Sequence, residues 1–315
     1  MGRRSKPRHG SMQYWPRKRA SKILPRVNWV QISEDKPGFL GFIAYKVGMR
    51  SAIVKDNTPD SMTKGKKIIV PVTILEVPPI KILSVRFYKN NKVAEEVFVG
   101  DDKELKNKLK LPKKKQEKNL DEIKNYDQIR VIVYSLAEKT QIKKTPDITE
   151  IAISGKPEDQ LNLVKGFMNK EIPIKEIFKE GLVDVRGLTK GKGLQGPVKR
   201  FGITLRQHKS EKGVRKVGSI GPWHPAHVSF RVPMAGQLGY FTRLCFNNKI
   251  LSIGKISEKN INPEFGFEHF GKIKTDYLIL RGSVQGPAKR QLLLTSSLRP
   301  TKKQLKKNLD FISLI

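Results

Sequence analysis

The segment 186–245 limits what this chain can fold into more than any other feature, because it is both strongly basic and rich in glycine. It holds twelve Lys/Arg, one acid (Glu211) and ten glycines. Such a segment buries too little apolar surface to fold alone, and glycine lets a backbone approach a partner closely. A long irregular stretch within a compact domain is unusual unless it is functional. We therefore expect a basic loop that threads into folded RNA.

The charge of the whole chain agrees with that expectation. Among 315 residues, 63 Lys/Arg stand against 29 Asp/Glu, a formal net charge of +34. Self-repulsion at this charge favours a dense polyanion as partner, and binding to nucleic acid releases counterions. An anionic membrane would instead call for a basic amphipathic helix or a lipidation signal, and the sequence shows neither. No apolar run is long enough to span a bilayer.

The N-terminus and the cysteine content bear on the compartment. The first residues lack the apolar core of a signal peptide. The single cysteine, Cys245, excludes an internal disulfide and suits a reducing compartment. We expect a soluble intracellular protein, and we interpret Cys245, in the strand-like RLCFNN, as a buried, inert thiol.

Residues 1–30 contain nine Lys/Arg, no acid and three prolines. Trp15 and Trp29 stand among these charges, and large aromatics are rare in solvated tails but common where bases or sugars are stacked. We predict an extended RNA-binding arm over 1–37, and a disordered solvated tail is the alternative.

Short β-branched and aromatic runs begin at Gly38 and recur over 276–295, with the spacing of a barrel or a sandwich. Residues 100–184 hold 16 of the 29 acids, and a helix over PEDQLNLVKGFMNK and a strand at RVIVYSLA indicate an α/β insertion. The predicted divisions are the arm 1–37, a β domain of 38–99 and 240–315, the insertion 100–186, and the loop 187–239.

Several motifs in the loop suggest chemistry that their context does not support. Gly191–Gly196 fits G-x-G-x-x-G, but no clear helical face follows and no carboxylate is placed for a ribose. His224 and His227 lack accompanying Cys or carboxylate ligands for a metal. No paired carboxylates or nucleophile–base spacing stands out. Trp223, between Pro222 and Pro225, is predicted to be an exposed aromatic that inserts among bases.

Four segments resemble a known family: GFIAYKVGM (41–49), GLTKGKGLQGPVKRFGI (187–203), GSIGPWHPAHVSFRVPMAGQLGYFTR (218–243) and GSVQGPAKRQLLL (282–294). They are similar to large-subunit ribosomal protein three. The arm SKPRHGSMQYWPRKR and the motif GPWHPAH resemble its archaeal and eukaryotic branch, and the compact length suggests the archaeal type.

This resemblance implies a mixed, β-rich fold: a six-stranded Greek-key β-barrel of the translation-protein type with an α/β insertion and long irregular basic extensions. It implies a structural protein of the 50S subunit in the cytoplasm, without enzymatic activity, cofactor or small-molecule substrate. The protein would bind 23S rRNA near its 3′ end, help to nucleate assembly, and extend its loop toward the peptidyl-transferase centre. Large-subunit proteins fourteen and twenty-four (the archaeal/eukaryotic type) are the expected protein neighbours.

Cationic and aromatic residues of the arm and the loop are the predicted rRNA-binding residues. They are Arg3, Arg4, Lys6, Arg8, His9, Trp15, Arg17, Lys18, Arg19, Lys190, Lys192, Lys199, Arg200, Arg206, His208, Arg215, Lys216, Trp223 and His224. Two other functions remain open from the residues alone. One is an RNA-modifying or nucleotide-using enzyme, and the other is a general nucleic-acid or chromatin binder.

Overall fold

A computed structural model describes residues 15–32, 34, 36–100, 102–110, 120, 123 and 125–315. The described chain forms two compact units. The smaller unit contains residues 15–23 and Leu188–Thr242, and the larger contains Leu24–Gly187 and Arg243–Ile315. Within the described residues, no helix combines the length and the apolar character needed to cross a membrane.

The fold is β-rich, as the sequence predicted, and its helices are few and short. The strands are β1 Gly38–Phe39, β2 Gly41–Asp56, β3 Lys67–Glu76, β4 Ile80–Lys89, β5 Lys92–Phe98, β6 Gln128–Ser135, β7 Ile148–Ser154, β8 Leu182–Leu188, β9 Leu194–Gln195, β10 Gly236–Gln237, β11 Thr242–Lys255, β12 Asp276–Arg281, β13 Gln291–Ser296 and β14 Leu309–Leu314. The α-helices are α1 Pro157–Phe167, α2 Ile174–Ile177, α3 Pro197–Phe201 and α4 Lys302–Leu305.

A seven-stranded sheet joins strands from the two ends of the chain. Its order is β13-β8-β11-β12-β3-β2-β14, and β13 also pairs with β2. Pairing therefore runs through six strands and returns to its start, with β14 added beside β2. Leu292 lies opposite Ala44 and Leu278 opposite Leu75 in these antiparallel ladders. All four side chains are fully buried and belong to the main hydrophobic core, so apolar burial fixes the register.

A second sheet has five strands in the order β1-β7-β6-β4-β5. Alternation of apolar residues produces its central strands: Ile129, Val131 and Val133 of β6 are all fully buried. Gln160 of α1 caps the beginning of β6, because its Oε1 accepts a 2.7 Å hydrogen bond from the backbone N–H of Ile129. The predicted helix at PEDQLNLVKGFMNK is thus confirmed as α1.

Two local interpretations of the sequence are corrected. Leu105 and Leu109 lie four residues apart, a spacing that is typical of an α-helix, but the structure has a five-residue 3-10 helix there, Lys103–Asn107. Trp29 was expected to stack on RNA with Trp15. It is instead a core residue with 3% exposure, and its ring lies so close to Gly41 that a Cβ there would come within 2.9 Å of Trp29 Cη2. The apolar contacts of the Trp29 ring in the fold decide its position, although it lies in a basic segment of the sequence.

Candidate nucleic-acid interface

The chain leaves the larger unit at the end of β8 and returns at the start of β11, and 188–242 forms a long loop between them. The base of this loop is a two-stranded stem. The N–H of Thr189 donates to Phe241 O at 3.0 Å, and the N–H of Lys192 donates to Leu238 O at 2.9 Å. The short strands β9 and β10 continue the pairing, with Gln195 opposite Gly236. Backbone hydrogen bonds therefore hold the base of the loop.

The stem requires a glycine at position 239. Its φ is +77°, and an added Cβ would lie 1.9 Å from the carbonyl oxygen of Lys190. Only glycine combines that conformation with such a close approach of two backbones. The glycine content of the loop, which the sequence linked to RNA approach, is here required by the protein's own packing.

An aromatic cluster connects residue 15 of the arm to the loop within the smaller unit. The rings of Trp15 and Phe201 stack with centroids 5.6 Å apart and planes at 15°, and Phe230 meets Trp15 edge-on at 5.8 Å. The guanidinium carbon of Arg17 lies 4.3 Å from the centre of the Phe201 ring. Phe201 is only 4% exposed. These contacts form a small core of their own for a segment whose composition predicted none.

Arg200 is committed to contacts within the smaller unit. Its Nε donates to Gln237 O and its Nη1 to Met234 O, each at 3.0 Å. The guanidinium also packs against Gly236, where a Cβ would come within 2.8 Å of it. Partial burial lowers the pKa of Arg200, yet the group stays protonated at neutral pH because a guanidinium titrates so high. The residue ties α3 to the returning strand.

Arg206 has a similar internal contact, since its guanidinium donates to the carbonyl oxygen of Val217, and its N–H bonds to Val214 O at 2.9 Å. The other predicted cations and histidines of the described part are mostly exposed. Exposed members are Lys18, Arg19, Lys190, Lys192, Lys199, His208, Arg215, Lys216 and His224, whereas Arg17, Arg200 and Arg206 are partly covered.

The exposed charge of this unit is almost entirely positive. Residues 188–242 hold ten Lys/Arg and one acid, Glu211, and residues 15–23 hold four Lys/Arg and no acid. Carboxylates that could neutralise these cations internally are thus nearly absent from the described part of the unit. A surface of one sign attracts a polyanion.

Trp223 is 88% exposed, which confirms the exposure that its sequence context predicted. Exposed apolar side chains of the same loop include Ile220, Val228, Phe230 and Met234. A protein of this charge that also presents aromatic and aliphatic groups has the two components of RNA binding, cations for phosphates and apolar surface for bases.

Two further sequence predictions concern the loop and the arm. After Gly196, where no helical face was predicted, the structure has one short helix, α3, and Gly202, which caps its C-terminus, adopts a φ of +64°. Arg3, Arg4, Lys6, Arg8 and His9 lie outside the described residues. Contacts of all the predicted residues with rRNA stay predictions.

The functional importance of Phe201, Phe230 and Gly239 was not predicted from the sequence. Phe201 and Phe230 carry no local signal for pairing with Trp15, because the contact joins distant parts of the chain. Gly239 could have been noticed only as one of ten glycines in a segment where all were assigned to RNA approach.

Comparisons with known proteins agree with one family over nearly the full length. The family described as Ribosomal protein L3 matches residues 1–314. "Large ribosomal subunit protein uL3" of Methanocaldococcus jannaschii is 42% identical over 96% of this chain and 94% of its own length. The proteins of the same name from Archaeoglobus fulgidus and Nanoarchaeum equitans are 40% and 41% identical, over 94% and 99% of this chain and 93% and 97% of their own lengths. The chain therefore belongs to the ribosomal protein L3 family, whose members are structural components of the ribosome rather than enzymes.

Proposed function

We propose that this chain is a structural constituent of the large ribosomal subunit in the cytoplasm, where the smaller unit binds 23S rRNA. The observation that carries the proposal is the surface of that unit. Its exposed cations face almost no acid, while Arg17 and Arg200 and the aromatic rings beside them stabilise the loop from within. The archaeal relatives named for the large subunit support the same assignment.

The contacts of the cations divide them into residues that meet RNA directly and residues that stabilise the loop. Lys190, Lys192 and Lys199 are exposed and have the reach to meet phosphates. Arg200 donates to carbonyl groups of its own loop. Arg200 therefore contributes to binding mainly by holding the loop in shape, and the three lysines contribute by direct electrostatic contact.

The family relationship extends the proposal to the location of the protein. We place its rRNA site near the 3′ end of 23S rRNA, where it helps to nucleate assembly, and the loop tip at Trp223 toward the peptidyl-transferase centre. Large-subunit proteins fourteen and twenty-four (the archaeal/eukaryotic type) are the proposed neighbours. An exposed aromatic in a basic loop supports this orientation, since it can stack on a base.

The proposed architecture is a six-stranded Greek-key barrel of the translation-protein type. Return of the pairing from β13 to β2 supports closure of six strands. We assign the barrel to β2, β3, β8, β11, β12 and β13, and the α/β insertion to the chain from β4 to β7 with the helices that follow. The predicted bounds 38–99, 100–186 and 240–315 are adjusted because β4 pairs with β6 and β8 pairs with β13. The arm stays assigned to 1–37 and the rRNA loop to 187–239.

Two measurements test the proposal. The tagged chain should sediment with large subunits through a high-salt sucrose gradient. The purified protein should bind a 23S rRNA fragment from the 3′ region more tightly than duplex DNA of equal length at the same salt concentration. Equal affinity for DNA, with no recovery in large subunits, would indicate a general nucleic-acid binder instead.

A further inference from the structure

The turn 261–271, between β11 and β12 of the larger unit, is held by a dense set of hydrogen bonds. The N–H of Gly266 donates to Pro263 O at 2.9 Å, and the N–H of Phe267 donates to Gly271 O at 2.8 Å. Asn262 bonds to both backbone groups of Ile273, donating through Nδ2 at 2.9 Å and accepting at Oδ1 at 2.8 Å. The turn therefore has a fixed shape.

Phe265 stands at the tip of this turn and is 97% exposed. Its neighbours in the sequence have a different environment. Phe267 is buried in a second hydrophobic cluster of the larger unit, together with Ile74 and Tyr277, and Phe270 packs against that cluster. Of the three phenylalanines in this turn, Phe265 is therefore the one whose ring lies outside the hydrophobic cluster. An exposed aromatic on an ordered turn marks a contact surface.

The charge around Phe265 differs in sign from that of the chain as a whole. Glu264 and Glu268 flank the tip, and both are exposed. Glu268 Oε1 lies 3.2 Å from His269 Nε2, and no Lys or Arg occurs between Lys259 and Lys272. In a chain of net charge +34, this is a local acidic site. Carboxylates repel a phosphate backbone and attract Lys and Arg side chains. The charge therefore favours a basic protein over RNA as the partner.

An apolar cavity of about 410 Å³ adjoins the turn and continues its apolar surface. Ile261, Pro263 and Phe267 from the turn line it together with Phe311 and Leu314. Two cations also line it, but each is held near a ring: Arg50 lies 5.9 Å from the Phe267 centroid and Lys259 5.0 Å from that of Phe311. Lys259 also donates to Ile312 O at 3.4 Å. The cavity has room for an apolar side chain of a partner.

We propose that Phe265, its flanking glutamates and the adjoining cavity form a docking surface for a basic segment of a neighbouring large-subunit protein. The partner segment would place Lys or Arg beside Glu264 and Glu268 and an apolar side chain against Phe265 and the cavity. The inference rests on the proposed function, because a protein neighbour at this surface requires that the chain be part of the subunit.

Photocrosslinking within purified large subunits tests the proposal. Phe265 is replaced with the photoreactive benzoylphenylalanine in the full-length tagged chain, and subunits are isolated on a sucrose gradient before irradiation. The expected adduct survives ribonuclease, is lost on protease treatment, and maps by mass spectrometry to a peptide of another subunit protein that contains Lys or Arg. An adduct with rRNA, or no adduct, would overturn the inference.

Met62 offers a matched control, because its side chain is 95% exposed on an ordered turn. Asp56 holds that turn by accepting hydrogen bonds from Thr58 N at 2.9 Å and from Ser61 Oγ at 2.8 Å. Lys64, Lys66 and Lys67 follow Met62 in the sequence. The same photoreactive group at position 62 should not reach the peptide found from position 265. Capture of the same peptide from both positions would contradict a defined docking surface.

Charge reversal gives a second measurement. Glu264→Lys together with Glu268→Lys, in the chain that carries the photoreactive residue, should lower the yield of the protein adduct several-fold. Both side chains are exposed, so the fold should tolerate the change. Unchanged yield would remove the electrostatic part of the inference and with it the choice of a basic partner. Absence of the tagged chain from the subunit peak would instead count against the proposed function.

Discussion

Trp15 and Phe201 stack with their ring centroids 5.6 Å apart and their planes 15° from parallel. One residue belongs to the N-terminal segment and the other to α3 of the basic loop. The N–H of Ala20 also donates to Tyr240 O at 3.0 Å, so the segment 15–23 follows the loop for several residues. The two basic segments that the sequence predicted as separate RNA-binding extensions therefore share one small aromatic core.

Trp15→Ala should loosen that core. Loss of the stack and of the cover over Phe201 should lower the local opening free energy of the smaller unit by about 1–3 kcal/mol. Hydrogen exchange measures this directly at Ala20 and at Gly202, whose N–H donates to Val198 O at 2.8 Å. Trp223→Ala is the control, because its ring is 88% exposed. Equal exchange in wild type and Trp15→Ala would show that the stack does not hold the unit together.

Trp223→Ala should affect translation more than incorporation. Base stacking on an aromatic contributes roughly 1–3 kcal/mol, whereas the exposed cations of the unit supply many separate phosphate contacts. Sucrose-gradient profiles should show nearly normal incorporation of the variant, and translation per purified particle should fall or change its sensitivity to drugs that act at the peptidyl-transferase centre. Loss of incorporation with unchanged translation per assembled particle would make Trp223 a structural anchor.

Replacing all three of Lys190, Lys192 and Lys199 with alanine should weaken binding of the protein to an isolated 23S rRNA fragment. It should also make the binding constant less dependent on salt concentration. If each lysine neutralises one phosphate, the slope of log K against log salt should become about 2–3 units less steep. Arg200→Ala is a contrasting variant, since it should loosen the loop through the lost bonds to Met234 and Gln237. A triple variant with the wild-type slope would show that these lysines do not meet phosphates.

Sequence patterns predicted the strands of the larger unit well because each is a short apolar run with its own local signal. The strand predicted at RVIVYSLA (130–137) is Gln128–Ser135 in the structure, and the strand-like run IKILSVRFY (80–88) is Ile80–Lys89. The structure pairs the two in the five-stranded sheet. That pairing is a long-range property, set by which faces bury together, and a single sequence gives no local sign of it. β14 escaped prediction because LDFISL follows a lysine-rich stretch and has only weak alternation.

The candidate interface was predictable in composition and not in its internal contacts. Charge and glycine content identified the loop and its exposed lysines. Burial of Trp29, by contrast, depends on Gly41 of β2 leaving space for its ring, and the stacking of Trp15 depends on a residue far along the chain. An aromatic in a basic segment can serve either the partner or the protein's own core, and only the fold distinguishes them.

Cys245 should react slowly with iodoacetamide in the folded protein. The thiol is half-buried, and not buried as its strand-like context predicted. This partial burial raises the pKa of the thiol, and Sγ donates a hydrogen bond to Gln285 Oε1 at 2.9 Å. A raised thiol pKa leaves less thiolate at a given pH, so the rate at neutral pH should be well below that of the urea-unfolded chain and should rise as the solution becomes alkaline. Equal rates in the folded and unfolded chains would show that the thiol is neither covered nor shifted.

Gly239→Ala should disrupt the base of the loop. The new Cβ would lie 1.9 Å from the carbonyl oxygen of Lys190, and alanine would also have to adopt a φ of +77°. This clash is relieved only if the two strands of the stem separate. The amide hydrogens of Lys192 and Thr189, which bond to Leu238 O and Phe241 O, should therefore lose protection from exchange.

Gly191→Ala is the matched control for that variant. It lies in the same stem, and its added Cβ would meet only Tyr240 Cδ2, at an ordinary contact distance of 3.8 Å. We expect near wild-type protection of the stem and near wild-type rRNA affinity for Gly191→Ala, and loss of both for Gly239→Ala. If the two variants behave alike, the stem is not what holds the loop for RNA, and the exposed cations act without a fixed arrangement.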